Sequence, residues 1–210
     1  MVLDRYRSSA DWILDPLARR LQRLSPNFIT FISLALSGVV VLLYYFSDTW
    51  DDAFLVLAAV MVLLSSLFDA LDGMVARITG KACKKGDLCD HVCDRYADIL
   101  LVGGLFLTGR ADILLVLLAL TGVFMTSYMG TQAQALGATR NYGGLLGRAD
   151  RLVILVLVLI VQYFLVLGDM ETILWELSLI EWMLISFAVL GHITALSRTL
   201  AIAKDLDKEC

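Results

Sequence analysis

Residues 54–94 read FLVLAAVMVLLSSLFDALDGMVARITGKACKKGDLCDHVCD, and they pass from an apolar run into a segment rich in aspartate. The apolar run and the later stretch ILLVGGLFL, residues 99–107, are typical of membrane-spanning helices. A carboxylate at the centre of such a helix costs about 2.5–3.5 kcal/mol on insertion scales, so acids within spans usually mark function. Four acids lie at or just inside the ends of these two spans: Asp69, Asp72, Asp90 and Asp94.

The composition indicates a membrane protein. The chain has 210 residues, 59% of them hydrophobic, and its mean hydropathy is +0.78, whereas roughly half of the residues in a soluble domain are apolar. A bilayer core of about 30 Å requires about 20 apolar residues per helix. Six stretches meet this requirement: 28–47, 52–76, 88–109, 111–136, 150–168 and 173–197. We therefore predict an all-α integral membrane protein with six transmembrane helices.

The regions outside the spans are short, so we expect no separate soluble domain. In residues 3–24, LDRYRSSADWILDPLARRLQRL, apolar Trp12, Leu17 and Leu21 alternate with arginines, as in an amphipathic helix on a membrane surface. The following SPNFIT predicts a helix cap at the start of the first span. We predict an amphipathic juxtamembrane helix at 1–25, a six-helix membrane domain at 26–200 and a cytoplasmic tail at 201–210.

The basic residues predict the orientation. Fifteen of the 17 Lys and Arg lie before the first span, in the second and fourth connections, or after the sixth span. Arg95 is the only one that falls well inside a span, and only Arg110 falls on the opposite side. Because cytoplasmic loops carry an excess of Lys and Arg, we predict a multi-pass protein of the cell membrane with both termini in the cytoplasm. We expect membrane lipids around it and no nucleic-acid partner.

The four acids are spaced for a shared metal site. Asp69 and Asp72 are three residues apart and Asp90 and Asp94 are four apart, so each pair lies on one face of a helix. The short basic loop between the pairs turns the chain back, which brings the pairs face to face. Close carboxylates repel one another unless a cation lies among them, and oxygen ligands favour hard divalent ions. Two such ions about 3.5–4 Å apart can clamp a diphosphate and its leaving oxygen.

Two other interpretations of the acids are considered. They can pair with Arg77 and the three loop lysines at the membrane interface, although such basic side chains can also reach water on their own. They can line the path of a divalent-cation transporter, but the later spans carry no matching acids and no inverted repeat is evident. A catalytic activity that depends on a divalent ion would separate an enzyme from both alternatives.

The cysteines Cys83, Cys89 and Cys93 fall at the predicted cytoplasmic face, where thiols stay reduced, so we predict no disulfide. Their C-x5-C-x3-C spacing lacks the close cysteine pairs of structural zinc sites and is only a weak zinc pattern. The sequence leaves their role open.

Together these residues resemble a family signature. The matching positions, with eight residues between the two halves, are Asp69-x-x-Asp72-Gly73-x-x-Ala76-Arg77 and Gly86-x-x-x-Asp90-x-x-x-Asp94. Every fixed position and both spacings are similar to those of the CDP-alcohol phosphotransferase family. The six predicted spans and the amphipathic N-terminal helix also fit that family, so the resemblance covers nearly the whole chain.

The resemblance implies a transferase that depends on two Mg²⁺ or Mn²⁺ ions. It moves a substituted phosphate from a CDP-linked alcohol to a second alcohol and releases CMP. By similarity, Asp69, Asp72 and Asp90 hold the first ion, and Asp69, Asp90 and Asp94 hold the second. Asp94 also acts as the general base on the attacking hydroxyl. The expected contacts to the CDP-lipid come from Asn27, Thr30, Gly73, Arg77 and Gly86. A homodimer is expected from the family alone.

The connection between the fourth and fifth spans carries residues that bear on the identity of the acceptor. Arg140, Arg148 and Arg151 gather there, and such a cluster suits an acceptor that carries its own phosphate. The alternative is that these arginines are topology signals that face water. The sequence GRADR, residues 147–151, resembles the arginine pair of family members that use inositol phosphate.

One departure from those members changes the first choice of acceptor. They typically have a basic KARAE-like run where this chain has GTQAQ, so that Gly130 and Gln132 replace Lys and Arg. The phrases GTQAQALG and YGGLLGRADR resemble archaeal members associated with phosphoglycerol ether lipids. We therefore predict glycerol phosphate as acceptor and CDP-archaeol as donor, with CDP-diacylglycerol as the other donor considered. Inositol phosphate is the second choice of acceptor and serine the third.

Overall fold

The computed structural model describes residues 7–137 and 146–207, and most of these residues are helical. In the described part of the chain the one strand-like pairing is an isolated bridge between Leu174 and Leu177. The α-helices are α1 (Arg7–Leu21), α2 (Pro26–Thr49), α3 (Ala53–Ile78), α4 (Lys84–Asp98), α5 (Ile113–Ala135), α6 (Arg148–Leu167) and α7 (Leu179–Leu206).

Five of these helices, α2, α3, α5, α6 and α7, are long and apolar enough to cross a membrane. The first four of them begin and end within two residues of the spans predicted from hydropathy. Long apolar runs with polar ends therefore located these helices well, since a helix that crosses about 30 Å of hydrocarbon has little freedom in length.

The predicted third span at 88–109 differs from this expectation because it is not one regular helix. After α4 the chain continues as a π-helix over Ile99–Gly103 and then as a 3-10 helix over Gly104–Thr108. Side-chain packing accompanies the change of helix type. A Cβ added at Gly104 would lie 3.3 Å from the Tyr44 ring, and the Tyr44 hydroxyl donates to the Leu101 carbonyl at 3.2 Å. None of the three helices in this segment is by itself long enough to count as a sixth membrane-spanning helix.

The last helix also differs from the prediction of 173–197. Its start is set by Ser178, whose hydroxyl accepts a hydrogen bond from the Glu181 amide, while the Glu181 carboxylate accepts one from the Ser178 amide. This capping box begins α7 six residues later than the apolar run indicates. At its other end α7 continues to Leu206, through most of the segment expected as a separate tail.

Helix α2 packs along α3, α5 packs along α7, and α6 packs against both α3 and α7. Helices α5 and α7 approach each other closely at Gly122 and Gly191, where a Cβ added at Gly191 would be 2.8 Å from the carbonyl carbon of Gly122. The Thr126 hydroxyl, 3.0 Å from the Gly191 carbonyl, lies at the same crossing. Small residues at such a crossing let two backbones approach closely within a membrane.

We predict that Gly191→Ala destabilises the protein by about 1–3 kcal/mol, because the added methyl group meets the backbone of the facing helix. Thermal unfolding of the purified protein in detergent would show a lower Tm. The matched control is Gly38→Ala, since nothing lies within 4 Å of a Cβ added at Gly38. An equal Tm for the two variants would contradict this view of the crossing.

Helix α1 packs against α3. Ala18 is fully buried in a small apolar cluster that also contains Ile29, Leu71 and Val75, and Leu17 and Leu21 pack at its edge. Trp12 is 75% exposed. Residues 7–21 of the segment expected as a surface helix are therefore helical, and part of the apolar face of α1 lies against the protein.

Candidate active site

Three of the four predicted acids converge at the ends of α3 and α4. One carboxylate oxygen each from Asp69, Asp72 and Asp90 lies within 4.8 Å of the others. The turn after α3 contains Gly80 with φ of 66°, a left-handed conformation that glycine adopts without strain. Cys83 then begins α4 as its N-cap, and its Sγ accepts a hydrogen bond from the Gly86 amide. The predicted turn between the two pairs of acids is thus present, and α4 packs mainly against α2 rather than along α3.

Helix α2 adds a polar side chain to this group. Asp72 is only 4% exposed, and the Thr30 hydroxyl donates a hydrogen bond to its Oδ2 atom at 2.6 Å. A bond of this length to a carboxylate is charge-assisted and fixes the orientation of the acid. Thr30 was predicted to contact the CDP-lipid, and the structure places it in direct contact with the acidic group.

Asp94 is joined to the group through an arginine. Nη1 of Arg148 donates to Oδ2 of Asp69 at 2.6 Å and lies 2.6 Å from Oδ1 of Asp94. The contact with Asp94 is an ion pair without hydrogen-bond alignment, since Oδ1 of Asp94 has no hydrogen-bond partner in the described residues. One guanidinium nitrogen from the first turn of α6 therefore bridges acids of α3 and α4.

A second ion-pair cluster lies beside the first. Asp98, 4% exposed, places Oδ2 at 2.6 Å from Nη1 of Arg95 and 3.6 Å from Nη2 of Arg151. Arg95 also lies 3.6 Å from Asp94. Asp98 thus pairs with Arg95, and the cluster connects Arg151 to the acidic helix.

The arginines expected to form an acceptor site are found as partners of acids. Arg148 and Arg151 contact Asp69, Asp94 and Asp98, and Arg140 lies outside the described residues. An open arginine cluster was expected, but close carboxylates in a partly buried site attract the nearest cations. The Nε atoms of Arg148 and Arg151 are nevertheless buried without a hydrogen-bond partner in the described part of the chain. Both guanidinium groups thus keep donor capacity.

The other residues predicted to contact the CDP-lipid lie near the acids. Asn27 at the start of α2 is exposed, and its Oδ1 would lie 3.6 Å from a Cβ added at Gly86. Gly73 follows Asp72, and a Cβ added there would meet nothing within 4 Å. Arg77 is exposed in the last turn of α3. The space beside Gly73 is open to a ligand, with the acidic group next to it.

The donor set fits a divalent ion. The three converging ligands are all carboxylate oxygens, which Mg²⁺ and Mn²⁺ prefer over softer ions. Within the described residues no cysteine belongs to a group that can hold a metal. The zinc pattern of Cys83, Cys89 and Cys93 therefore gains no support, and these cysteines are free.

Several polar contacts were not anticipated from the sequence. Ser33 and Ser37 of α2 form hydrogen bonds with Ser65 of α3 inside the helix pair that carries the acids. Their spacing of four residues in an apolar span was the available signal, because polar side chains within spans usually bond across helices. The two histidines make contacts outside the acidic group: His192 lies 3.4 Å from Thr121, and His91 lies 3.9 Å from Asp87.

Comparison with known proteins gives a consistent result. The family profile described as CDP-alcohol phosphatidyltransferase matches residues 23–194. The archaetidylinositol phosphate synthase of Aeropyrum pernix is 29% identical over 209 residues, which cover 98% of each chain. The phosphatidylinositol phosphate synthase of Corynebacterium glutamicum is 32% identical over 158 residues, or 70% of this chain and 69% of the relative.

A solved structure agrees with these relatives. The phosphatidylinositol phosphate synthase of Mycobacterium tuberculosis with CDP-DAG bound gives a TM-score of 0.73 at 26% identity, and the match covers 90% of this chain and 93% of that one. The same enzyme has also been solved in complex with manganese and citrate. Because the profile spans α2 to α6, much of α7 and all four acids of the site, the chain belongs to the CDP-alcohol phosphatidyltransferase family and is a metal-dependent transferase of phospholipid biosynthesis.

Proposed function

We propose that the chain transfers the lipid-phosphate group of a CDP-linked lipid to inositol phosphate and releases CMP. The observation that carries this proposal is the contact between Arg148 and Asp94. An arginine that can bind a phosphate lies against the acid assigned as base, so an acceptor held by its phosphate has its hydroxyl close to Asp94. The family assignment replaces the transporter alternative.

This choice of acceptor corrects the first choice made from the sequence. Gly130 and Gln132, in place of basic residues, favoured glycerol phosphate. The relatives named as inositol phosphate lipid synthases include an archaeal one that aligns with 98% of the chain, and they favour inositol phosphate instead. Gly130 is buried within α5, and the buried Arg151 supplies a cation from α6. For the donor we propose CDP-archaeol first and CDP-diacylglycerol second.

The metal assignment follows the chemistry of the donor set. Asp69, Asp72 and Asp90, which converge in the structure, would hold the first Mg²⁺ or Mn²⁺ ion. Asp69, Asp90 and Asp94 would hold the second. When bound, such ions neutralise the diphosphate and the leaving oxygen. Thr30 orients Asp72, and the open space beside Gly73 admits the CDP group.

In the proposed reaction, Asp94 takes the proton from the acceptor hydroxyl as its oxygen attacks the phosphorus that carries the lipid. A new phosphorus–oxygen bond forms there, and the bond to the CMP oxygen breaks. Arg148 and Arg151 hold the acceptor phosphate, and Arg77 and Asn27 contact the CDP group. Arg140 is proposed as a third acceptor contact from the sequence alone.

The arrangement in the membrane is part of the proposal. We propose that the helical run over 84–108 completes a sixth crossing, although it changes helix type at Ile99 and Gly104. Both termini then lie in the cytoplasm, with 1–25 as a helix at the membrane surface, 26–200 as the membrane domain and 201–210 as the tail. The charge asymmetry of the connections supports this orientation. A homodimer remains an expectation from the family.

We predict that purified protein in detergent with Mg²⁺ or Mn²⁺ releases CMP from CDP-archaeol or CDP-diacylglycerol when inositol phosphate is supplied. Glycerol phosphate, serine and unphosphorylated inositol are offered separately, and the lipid product is identified by mass spectrometry. Inositol phosphate should give the highest rate, because the relatives described above are named as inositol phosphate lipid synthases. Faster release with glycerol phosphate would restore the first choice from the sequence, and release with serine or inositol alone would overturn the phosphate-binding role of the arginines.

A further inference from the structure

The position of Arg148 has a consequence beyond binding of the acceptor. Its Nη1 atom lies 2.6 Å from Oδ2 of Asp69 and 2.6 Å from Oδ1 of Asp94, so a single cationic nitrogen lies between two carboxylates from different helices. Arg148 makes no ion pair with Asp72 or Asp90 in the described residues. Its positive charge therefore lies on one side of the acidic group.

The two acids that Arg148 bridges are two of the three assigned to the second ion. A guanidinium nitrogen and a divalent ion both need the outward lone pairs of these carboxylates, so they compete for the same oxygens. Asp72 is instead fixed by Thr30, a neutral hydroxyl that adds no competing charge. The first ion thus meets no arginine among its ligands except at Asp69.

We propose that Arg148 is an exchangeable cation that holds the second metal position until an ion replaces it, and that this replacement releases the guanidinium group toward the acceptor phosphate. The inference rests on the proposed function, because that function assigns the second ion and the acceptor phosphate. It adds an order of events. An ion enters the second metal position before the acceptor binds, and the released arginine then contacts the acceptor phosphate.

Three features of the structure support an exchange. Arg148 is the first residue of α6, so only its side chain has to move, and its Nε has no hydrogen-bond partner in the described residues to hold it in place. Its contact with Asp94 lacks hydrogen-bond alignment. Arg151, one turn later on α6, is 7% exposed and lies against Asp98 rather than the metal-binding acids, so it can stay in place while Arg148 moves.

The experiment is a Mn²⁺ titration of the whole protein in detergent without CDP-lipid, with free Mn²⁺ measured by electron paramagnetic resonance. Wild type should show two classes of site, the second weaker than the first. Arg148→Ala should bind the second ion at least about tenfold more tightly, because a competing charge is removed from two of its ligands. Arg148→Lys keeps the charge and should remain close to wild type. Lys84→Ala is the control, since it removes an exposed cation at the start of α4.

A second measurement, the Tm, separates unfolding of Arg148→Ala from removal of the arginine that competes with the ion. In EDTA, Arg148→Ala should have a lower Tm than wild type, because Asp69 and Asp94 lose their partner, and Mn²⁺ should restore the Tm. Unchanged or weaker binding of the second ion in Arg148→Ala, with its Tm restored by Mn²⁺, would overturn the exchange. If the exchange is overturned in this way but wild type still transfers lipid phosphate to inositol phosphate, the proposed function stands without the exchange. If wild type binds no Mn²⁺ at these acids, the metal assignment itself fails.

Discussion

Asp94→Asn is expected to lower kcat by roughly 10²–10⁴-fold while binding of the CDP-lipid is retained, since this is the usual contribution of a positioned general base. Asparagine keeps the size of the side chain and its contact with Arg148 but cannot accept the proton of the acceptor hydroxyl. Three other acids, Asp69, Asp72 and Asp90, remain to hold an ion against the diphosphate. The loss should therefore appear in turnover and leave affinity for the donor nearly unchanged.

This prediction is checked by the initial rate of CMP release at saturating donor and acceptor, together with equilibrium binding of the CDP-lipid. Asp87→Asn is the matched control, because Asp87 lies on the same helix, is exposed and has only a distant contact with His91. Turnover of Asp94→Asn at the wild-type rate would remove Asp94 from the role of base. Loss of donor binding would make it a structural ligand instead.

Asp69→Asn is expected to lower kcat/KM by about 10³-fold or more, because a metal contribution of several kcal/mol corresponds to at least that factor. Asp69 is assigned to both ions and is also a partner of Arg148, so its replacement weakens two metal positions and one ion pair. This variant should weaken both Mn²⁺ positions, whereas Asp94→Asn removes a ligand of the second position alone, and a large excess of Mn²⁺ should restore part of the rate of Asp69→Asn.

Rates of CMP release across a Mn²⁺ series measure this effect. The control is Asp169→Asn, which makes the same substitution at an exposed position after α6, where the φ of 57° is readily adopted by asparagine. Full activity of Asp69→Asn at low Mn²⁺ would exclude Asp69 as a shared ligand.

Much of the fold could be predicted from the sequence because the membrane imposes length and polarity on each crossing. The third predicted span shows the limit of that reasoning. Its apolar run gave no sign that the helix changes type at Ile99 and Gly104, since this change goes with packing of Tyr44 from another helix. The late start of α7 could have been predicted from the sequence, because Ser178 and Glu181 have the spacing of a capping box.

The candidate site also has parts that could be predicted from the sequence and parts that could not. Spacing along two consecutive helices placed Asp69, Asp72 and Asp90 together, since a short turn joins these helices and keeps the acids near one another. The contact of Arg148 with Asp69 joins residues 79 positions apart and depends on how α6 packs against α3. Periodicity along one helix carries no information about such a partner. The first choice of acceptor rested on two substitutions in α5, whereas the relatives named as inositol phosphate lipid synthases favour the second choice.

The most direct test of the metal site is an anomalous difference map at the manganese absorption edge, from crystals of the protein grown with Mn²⁺. Two peaks are predicted, one bounded by Asp69, Asp72 and Asp90 and the other by Asp69, Asp90 and Asp94, with Arg148 displaced from the second. Manganese bound elsewhere, or no peak among these acids, would contradict the assignment of the four aspartates as the metal centre.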